Sequence, residues 1–299
     1  MPSLIQTPIH NAHLLEDDIV QCRHSLNDTN LFTDERIIQI FESHPEEYLQ
    51  IYTMGSDHGV LDDFRLGRRD KMDSEALLAA VKSGRLWFNI MGLDYFHSEY
   101  KGIFNQLFEE LAEQNPAFKT FERSATLLVS SPKAKVYYHA DGPPNILWHI
   151  RGRKKVYLYP LTETFAPQVD IEKIFTRESN DDLPYDSSFE ESATEYILNP
   201  GEMISWPQNM PHRVDNLDEF CVSLSAEYFS YKSKRKQQLF LANHYLRRWL
   251  HLPCYGTQAT GPAAWAKRNA FKILSRLPLK RAQEAEDVFE FSMQDHQAN

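Results

Sequence analysis

Two short motifs constrain the fold of this chain most, His139-Ala140-Asp141 and, much later, Pro211-His212. In an extended strand, residues i and i+2 point to the same face, so His139 and Asp141 can reach one ion together. His212 would complete the set from another strand. Two imidazoles and one carboxylate on one side of a metal leave other coordination positions open. That arrangement suits a non-haem Fe(II) that also binds an organic ligand and dioxygen.

The tripeptide His-x-Asp is weak evidence by itself, because a chain with 12 histidines and 42 acidic residues contains it by chance. Its surroundings strengthen it. A β-rich run over 134–138 leads into the motif, and Asp141 stands in the turn Asp141-Gly142-Pro143-Pro144. Two further strands are predicted, over 145–150 and 154–160, separated by the polar turn 151–153. The motif is therefore expected at the end of a strand within a sheet.

The sequence before and after His212 has the same character. Strands are predicted over 196–198, 203–206 and 220–229, and the turn at 199–202 has Pro at its second position and Gly at its third. Apolar residues alternate along the last of these strands. Short strands at regular spacing, joined by such turns, indicate a barrel or jelly roll.

From about residue 124 to residue 231 the chain resembles the cupin-like JmjC oxygenases, in particular small protein hydroxylases such as the asparaginyl hydroxylase of hypoxia-inducible factor. The matching residues are His139, Asp141, Asn145, Arg151-Gly152-Arg153-Lys154, Pro160, Pro200-Gly201-Glu202, Trp206-Pro207 and Pro211-His212. The resemblance implies a mainly β fold with flanking helices, a double-stranded β-helix. It also implies Fe(II), held by His139, Asp141 and His212, and 2-oxoglutarate as co-substrate.

Lys154 stands where the lysine of this family binds the distal carboxylate of 2-oxoglutarate. A cation is needed there because an unpaired charge buried in a barrel is costly. The competing interpretation places Lys154 in a solvated basic turn, 151–155. The family spacing favours the role in co-substrate binding. Arg213 is adjacent to a candidate metal ligand and is expected to point away from the site.

Three other positions bear on the co-substrate pocket. Asn145 is retained from the family pattern. Val136 replaces a threonine of the hydroxylase, and Tyr137, which lies on the same face as His139, could supply a hydroxyl instead. Glu227 stands where the hydroxylase has an asparagine. The predicted metal triad thus matches the family pattern, whereas some of the residues expected around it differ from that pattern.

Three functions follow from these residues. The first is an Fe(II)- and 2-oxoglutarate-dependent hydroxylase of a protein side chain or a small metabolite. The second is a metal-binding or regulatory cupin module without oxygenase activity, which Val136 and Glu227 favour. The third is a cupin enzyme that uses another metal and no keto acid. The net charge of −10 favours a basic or neutral substrate.

The chain divides into three predicted regions. Residues 1–123 are a mixed bracing region in which helices prevail, 124–231 form the barrel, and 232–299 are a basic helical region. In the first region we expect a helix beginning near Thr33, strands over 48–52 and 86–90, a helix over 75–83 capped by Ser74, and a helix over 100–114. The acidic segment 178–195 is expected to be a surface loop or a substrate lid.

Residues 232–281 contain twelve Lys and Arg and no Asp or Glu. Helices are predicted near 233–251 and 263–277, with Trp265, Phe271, Leu274 and Leu277 on one side of the second. The segment could pack against the acidic body, form a homodimer contact, or bind an anionic membrane or nucleic acid. The first two are favoured, because the resemblance implies dimerisation through C-terminal helices and no nucleic-acid-binding motif accompanies the charge.

Composition restricts the cellular setting. Cys22, Cys221 and Cys254 are scattered, which favours a reducing compartment over a disulfide framework. No run of about 20 apolar residues predicts a membrane-spanning helix. The first residues lack the basic flank and apolar core of a secretory signal. A cytoplasmic protein is expected.

Overall fold

A computed structural model of the chain describes residues 2–6, 8–54, 59, 61–280, 282–285 and 288–293. The strands are β1 Ile5–Gln6, β2 Val20–His24, β3 Leu49–Thr53, β4 Leu66–Arg68, β5 Leu86–Met91, β6 Thr120–Ser130, β7 Lys135–His139, β8 Asn145–Arg151, β9 Lys154–Leu158, β10 Thr194–Leu198, β11 Glu202–Ser205, β12 His212–Asn216, β13 Cys221–Ser230 and β14 Phe289–Ser292. The α-helices are α1 Asp34–Ser43, α2 Ser74–Ser83, α3 Leu93–Phe96, α4 Ser98–Gln114, α5 Gln168–Thr176, α6 Tyr231–Leu250 and α7 Pro262–Leu274. Short 3-10 helices cover Ala12–Leu14, Leu26–Asp28, Glu46–Tyr48, Leu61–Asp63 and Ser187–Ser192.

The strands form two sheets. The larger has the order β1-β2-β11-β8-β13-β6-β5-β3-β4-β14, and the smaller has the order β10-β9-β12-β7. Leu147 and Ile204 of the large sheet pack with Val156 and Leu158 of the small sheet in one buried apolar cluster. The two sheets therefore face each other, and the predicted jelly roll with flanking helices is confirmed.

Helices α1, α2 and α4 cover the outer face of the large sheet. Their buried stripes share one core with β5, β6, β8 and β13. In β6, Leu127 and Val129 belong to this core, whereas Thr126 and Leu128 face a cavity between the sheets. This alternation follows from the two-residue period of a strand. The helices thus cover one face of the large sheet, and residues of the opposite face line the cavity.

Most predicted elements are found at their expected places, within a few residues at each end. The cap of α2 is a correction. Asp73, not Ser74, precedes the helix, and its carboxylate accepts a hydrogen bond from the Ala76 amide at 2.7 Å. Ser74 is the buried first residue, and its hydroxyl accepts from Arg69 at 2.9 Å. Aspartate is as good an N-cap as serine, so the sequence alone does not show which of two neighbouring candidates caps the helix. Contacts with the rest of the fold decide.

The acidic segment 178–195, which was expected to be a surface loop or a lid, forms main-chain hydrogen bonds with the small sheet. Its first half lies along β7, where the Ala140 amide donates to the Asp181 carbonyl at 2.9 Å and the Leu183 amide donates to the Tyr138 carbonyl at 3.3 Å. Leu183 is buried in the apolar cluster on the outer face of the small sheet. The segment therefore extends the edge of the sheet beside His139.

The basic C-terminal region packs against the acidic body, one of the two favoured interpretations. Ion pairs join it to earlier parts of the chain: Lys232 to Asp17, Lys234 to Glu122, Arg247 to Glu172 and Arg248 to Glu178. Trp265 and Leu277 are 63% and 52% exposed, and Leu277 lies beyond the last residue of α7. Arg281 lies outside the described residues. Among the described helices, none has the length and apolarity needed to cross a membrane.

Candidate active site

Three sequence-distant side chains meet between the sheets. His139 ends β7, His212 begins β12, and these two residues are paired in the ladder. Asp141 follows β7 by two residues. The candidate ligand atoms of the three all lie within 4.8 Å of one another. The Nε2 atoms of His139 and His212 are 3.9 and 3.6 Å from the Asp141 carboxylate. Two imidazoles and one carboxylate on one side fit a divalent iron site with open positions.

Backbone carbonyls orient both imidazoles. The Nδ1 atom of His139 is 2.8 Å from the Tyr137 carbonyl, and that of His212 is 3.0 Å from the Met210 carbonyl. A carbonyl only accepts, so each Nδ1 carries the proton and each Nε2 has a lone pair for a metal. Burial and the neighbouring His139 hold the pKa of His212 well below its usual range. The ring of His212 is therefore neutral, as a metal ligand requires.

Asn145 lies directly beside Asp141. Its Nδ2 donates to Asp141 Oδ2 at 3.3 Å, and its Oδ1 accepts from the Ser225 hydroxyl at 2.9 Å. Burial raises the pKa of Asp141 to about 6, and His139 opposes that shift. Asn145 thus lines the cavity and also holds the side chain of Asp141, a candidate metal ligand.

Lys154 lines the same cavity as the three candidate ligands, which has a volume of about 260 Å³. It is 4% exposed, and burial lowers the pKa of its ammonium group. Within the described chain, no carboxylate forms an ion pair with it. The adjacent Lys155 instead points outwards and pairs with Glu195 at 3.0 Å. Lys154 is therefore not part of a solvated turn, and an anion entering the cavity would meet an unpaired cation.

Tyr137 faces a different space. Its hydroxyl donates to the carboxylate of Asp181, and its ring lines an outer cavity with Trp87. Burial and Asp181 raise the pKa of this phenol well above its usual range. The residue that lines the inner cavity at this point is Val136. The hydroxyl of Tyr137 thus lies at the outer cavity, and it does not line the cavity that contains the candidate metal ligands.

Several lining residues were not predicted from the sequence. They are Gln50, Trp87, Asn89, Thr126, Asp181, Asn216 and Ser225. Trp87 and Asn89 lie two apart in a predicted strand, so their common face could have been inferred. Asp181 enters from the segment after α5, and nothing in its local sequence indicates this.

The sequence analysis also did not predict the roles of two side chains in the loop that precedes His212. Asn209 has a left-handed backbone, with φ of 65°, and its amide donates to the Asp141 carbonyl at 2.8 Å. Gln208 donates to the Gly142 carbonyl at 2.9 Å. These bonds tie the loop that carries one ligand to the turn that carries another.

Other predictions near the site agree with the structure. His149 is a satisfied structural histidine, with ring nitrogens 2.9 Å from the Ser223 hydroxyl and 2.8 Å from the Gly152 carbonyl. Trp206 is a cavity wall, and its ring centroid is 4.6 Å from that of His212. Arg213 points away from the ligands and pairs with Glu190 and Asp215.

The structure thus combines a cupin-type fold with a candidate metal site. The chain belongs to the cupin-like domain family, whose model matches residues 71–234. None of the curated proteins matches this chain in sequence.

Solved structures share the fold over nearly the whole chain. The X-ray structure of Escherichia coli YcfD has a TM-score of 0.52 at 15% identity and covers 92% of this chain and 70% of its own. The structure of YcfD, a ribosomal oxygenase from E. coli, in complex with cobalt and 2-oxoglutarate, has a TM-score of 0.51 at 13% identity, over 92% of this chain and 69% of its own. At such low identity these similarities establish the fold.

Proposed function

We propose that the protein is an Fe(II)- and 2-oxoglutarate-dependent oxygenase that hydroxylates a protein side chain or a small metabolite. One observation carries the proposal: His139, Asp141 and His212 line a single cavity with the buried Lys154, which pairs with no carboxylate of the described residues. A metal-chelating dicarboxylate has two ends, and this cavity offers a partner for each. The YcfD complex with cobalt and 2-oxoglutarate, which shares the fold, supports the same assignment.

Each residue of the cavity would have a distinct role in such a site. Nε2 of His139, Nε2 of His212 and the Asp141 carboxylate would hold the iron, whose open positions supply the oxidising chemistry. Lys154 would bind the far carboxylate of the co-substrate. Asn145 holds Asp141 in place. Leu147 and Trp206 are apolar walls that keep water from the reacting groups.

The direct test is 2-oxoglutarate binding to anaerobic, Fe(II)-loaded protein, followed through the visible metal-to-ligand charge-transfer band. We expect the band in the wild type and a much weaker band in Lys154→Ala. The matched control is Lys155→Ala, which removes the outward-pointing neighbour and should leave the band unchanged. Bound iron without any band would contradict the proposal.

A second measurement addresses the ligands. His139→Ala and Asp141→Ala should abolish formation of succinate from 2-oxoglutarate, because each removes one third of the metal-binding set. Undiminished succinate formation in either variant would exclude the triad as the catalytic centre.

A metal-binding module without an oxygenase cycle is the second candidate. Val136 and Glu227, which replace a threonine and an asparagine of the hydroxylase, both line the cavity. Burial, with Asp141, raises the pKa of Glu227 to about 7. This function predicts tight metal binding and no affinity for 2-oxoglutarate, so the same band decides between the two candidates.

Homodimerisation through the C-terminal helices and a cytoplasmic location remain proposals. Trp265 and Ile273 of α7 are both more than half exposed, which supports a further contact on this helix. Light scattering on the purified protein, compared with Trp265→Asp, tests the dimer. A monomer of the wild type would exclude it.

A further inference from the structure

Lys236 of α6 contacts the ligand loop, residues 206–211, which joins β11 to β12 and precedes His212. Its Nζ donates to the Gln208 carbonyl at 2.6 Å. Among the described residues, no main-chain amide donates to that carbonyl and no carboxylate forms an ion pair with Lys236. Burial, with the neighbouring Lys232, lowers the pKa of Lys236 to about 8, so its ammonium group is poorly hydrated. The two groups are therefore each other's partners in this part of the fold.

The other lysines at the start of α6 have a different environment. Lys232 pairs with Asp17 and Lys234 pairs with Glu122, both on the surface. Surface ion pairs contribute little to stability and are screened by salt. Lys236 has a backbone carbonyl as its partner instead of an acidic side chain. Attraction between the basic region and the acidic body therefore does not explain the position of Lys236.

The ligand loop is bonded in turn to the segment that contains Asp141. Gln208 Nε2 donates to the Gly142 carbonyl at 2.9 Å. Asn209 Nδ2 donates to the Asp141 carbonyl at 2.8 Å. The side chains next to the carbonyl that Lys236 holds thus fix the backbone of one candidate ligand.

The same loop also orients the second imidazole. The Met210 amide donates to the Pro207 carbonyl at 3.0 Å, and the Met210 carbonyl is 3.0 Å from Nδ1 of His212. The next carbonyl, that of Pro211, accepts from the Tyr159 amide at 3.0 Å. A shift of the ligand loop would therefore displace His212 and the Asp141 turn together.

Helix α6 is anchored on both sides of Lys236. It begins directly after β13, where Ser230 and Ser233 form a capping box. One turn after Lys236, Phe240 is buried in the apolar cluster that contains Tyr138. Lys236 thus projects from a helix whose position is set by two independent contacts, and the loop is held against that helix.

We propose that Lys236 is a positioning residue of the candidate metal centre, whose ammonium group holds the ligand loop so that His212 and Asp141 keep the spacing that binds the metal. This inference rests on the proposed function. Without the ammonium group the Gln208 carbonyl loses its partner, and the loop moves to regain one. Lys236 acts through the loop and does not touch the metal. The basic C-terminal region therefore contributes to the site as well as to packing.

The test measures Co(II) binding to the full-length protein, by competitive titration and by the visible absorption of the bound ion. Lys236→Met keeps the length of the side chain and removes the ammonium group. We expect the affinity for Co(II) to fall by about tenfold or more, because residues that orient metal ligands have effects of this size. The visible bands should also change, since His212 moves. Equal affinity and identical bands in this variant and the wild type would overturn the inference.

Lys267→Met is the matched control. The Nζ of Lys267 also donates to a backbone carbonyl, that of Tyr255, but between α7 and the segment before it. This variant loses the same kind of contact and should bind Co(II) like the wild type, even where it unfolds more easily. Lys234→Met removes a neighbouring surface charge of α6 and should likewise bind normally. An equal fall in affinity in either control would reveal a general effect of stability or charge and would contradict the role of Lys236.

A second variant tests the same path without changing Lys236, and it applies even if Lys236→Met does not fold. Asn209→Gly retains the left-handed backbone, with φ of 65°, and removes the amide that donates to the Asp141 carbonyl. It should also lower the affinity for Co(II) by about tenfold. The double variant should lose less than the product of the two single losses, because both changes act through one loop. Independent losses would speak against the proposed path.

The wild type separates the two proposals. A wild type that binds no Co(II) would overturn both of them. Co(II) binding without any affinity for 2-oxoglutarate would count against the proposed function, and the titration of Lys236→Met would still decide the role of Lys236. Binding of both Co(II) and 2-oxoglutarate, with no effect of Lys236→Met, would exclude the positioning role alone.

Discussion

Asp141 is the candidate ligand that depends most on its neighbours. Unlike His139 and His212, it lies outside a strand, in a turn that contains Gly142 and two prolines. Its carboxylate is held by Asn145, and its carbonyl accepts from Asn209. Hydrogen bonds to a ligand restrict its rotation, so part of the metal affinity resides in residues that do not touch the metal.

Asn145→Ala should therefore weaken metal binding by about 10- to 100-fold, because Asp141 loses its positioning amide and Ser225 loses its acceptor. Competitive titration with Co(II) measures the change. Asn199→Ala, in an exposed turn, is the control for general effects of removing an amide. Equal Co(II) affinity in wild type and Asn145→Ala would show that the contact is incidental.

A second residue-scale prediction concerns pH and His24. Burial lowers the pKa of His24 to about 4, and its Nδ1 accepts from the Leu26 amide at 3.1 Å. The folded state therefore keeps this ring neutral, while the unfolded chain protonates it near its ordinary pKa of about 6.5. The contribution of the neutral His24 ring to stability is therefore complete above about pH 6.5, and it is lost as the pH falls from about 6.5 to about 4.

Denaturant unfolding of wild type and His24→Gln at pH 7.5 and pH 5 tests this. Between these values the wild type should lose about 2 kcal/mol of unfolding free energy relative to the variant, because only the wild type has this histidine to protonate. A difference between the two proteins that does not change with pH would contradict the assigned titration.

At this scale the sequence predicted which three candidate ligands lie together, and it did not predict the residues around them. The His-x-Asp spacing predicted that His139 and Asp141 meet, although Asp141 lies in the turn after β7 and not in the strand. The family spacing singles out Lys154. The direction of the Tyr137 hydroxyl depends on Asp181, which is 44 residues away. No local pattern encodes such a contact.

Among the elements, the β8–β9 turn places Lys154 inside the cavity. Gly152 has φ of 76°, and a Cβ at this position would lie 2.4 Å from the Phe220 carbonyl. The turn thus combines a left-handed backbone with a close approach of the chain before β13. Only glycine satisfies both requirements.

Gly152→Ala should destabilise the protein by more than about 2 kcal/mol, since it adds backbone strain and a steric clash. Gly102→Ala is the control, because a Cβ there, within α4, meets nothing within 4 Å. That change should stabilise the helix by up to about 1 kcal/mol. Thermal unfolding of both variants measures the contrast, and a Gly152→Ala protein as stable as the wild type would contradict the clash.

Elements with a strong pattern were predictable, and irregular ones were not. Alternation and turn residues identified β8 to β11 and β13, and the apolar stripe of α4 identified that helix. The segment 178–195 looks like a loop because it is polar, but its main chain pairs with β7. Main-chain pairing to a distant strand leaves no mark on composition.

Across the whole molecule, charge holds the C-terminal region to the body. Arg247 of α6 pairs with Glu172 of α5, a carboxylate with no exposed surface that also accepts from Gln168 at 2.7 Å. The charge imbalance between residues 232–281 and the rest was evident in the sequence. Which acidic residue each cation would meet was not, because the partners lie far apart along the chain.

Arg247→Met should destabilise the protein by about 3–5 kcal/mol, since it leaves the buried Glu172 without its partner. Arg248→Met, the next residue, removes a more exposed ion pair with Glu178 and should cost less than about 1 kcal/mol. Denaturant unfolding of the two variants makes the comparison. Equal losses of unfolding free energy in the two variants would show that burial of an ion pair does not determine the cost of breaking it.

The way Asp181 and Asp182 reach the site has an evolutionary consequence. They arrive on a segment joined to the edge of β7 by main-chain bonds, which any sequence of similar shape can form, while the metal ligands belong to β7, its turn and β12. The candidate metal ligands and these two cavity-lining carboxylates thus come from separate stretches of the sequence. Replacement of the interval 178–195 alone would change the lining of the outer cavity and leave the three candidate ligands in place.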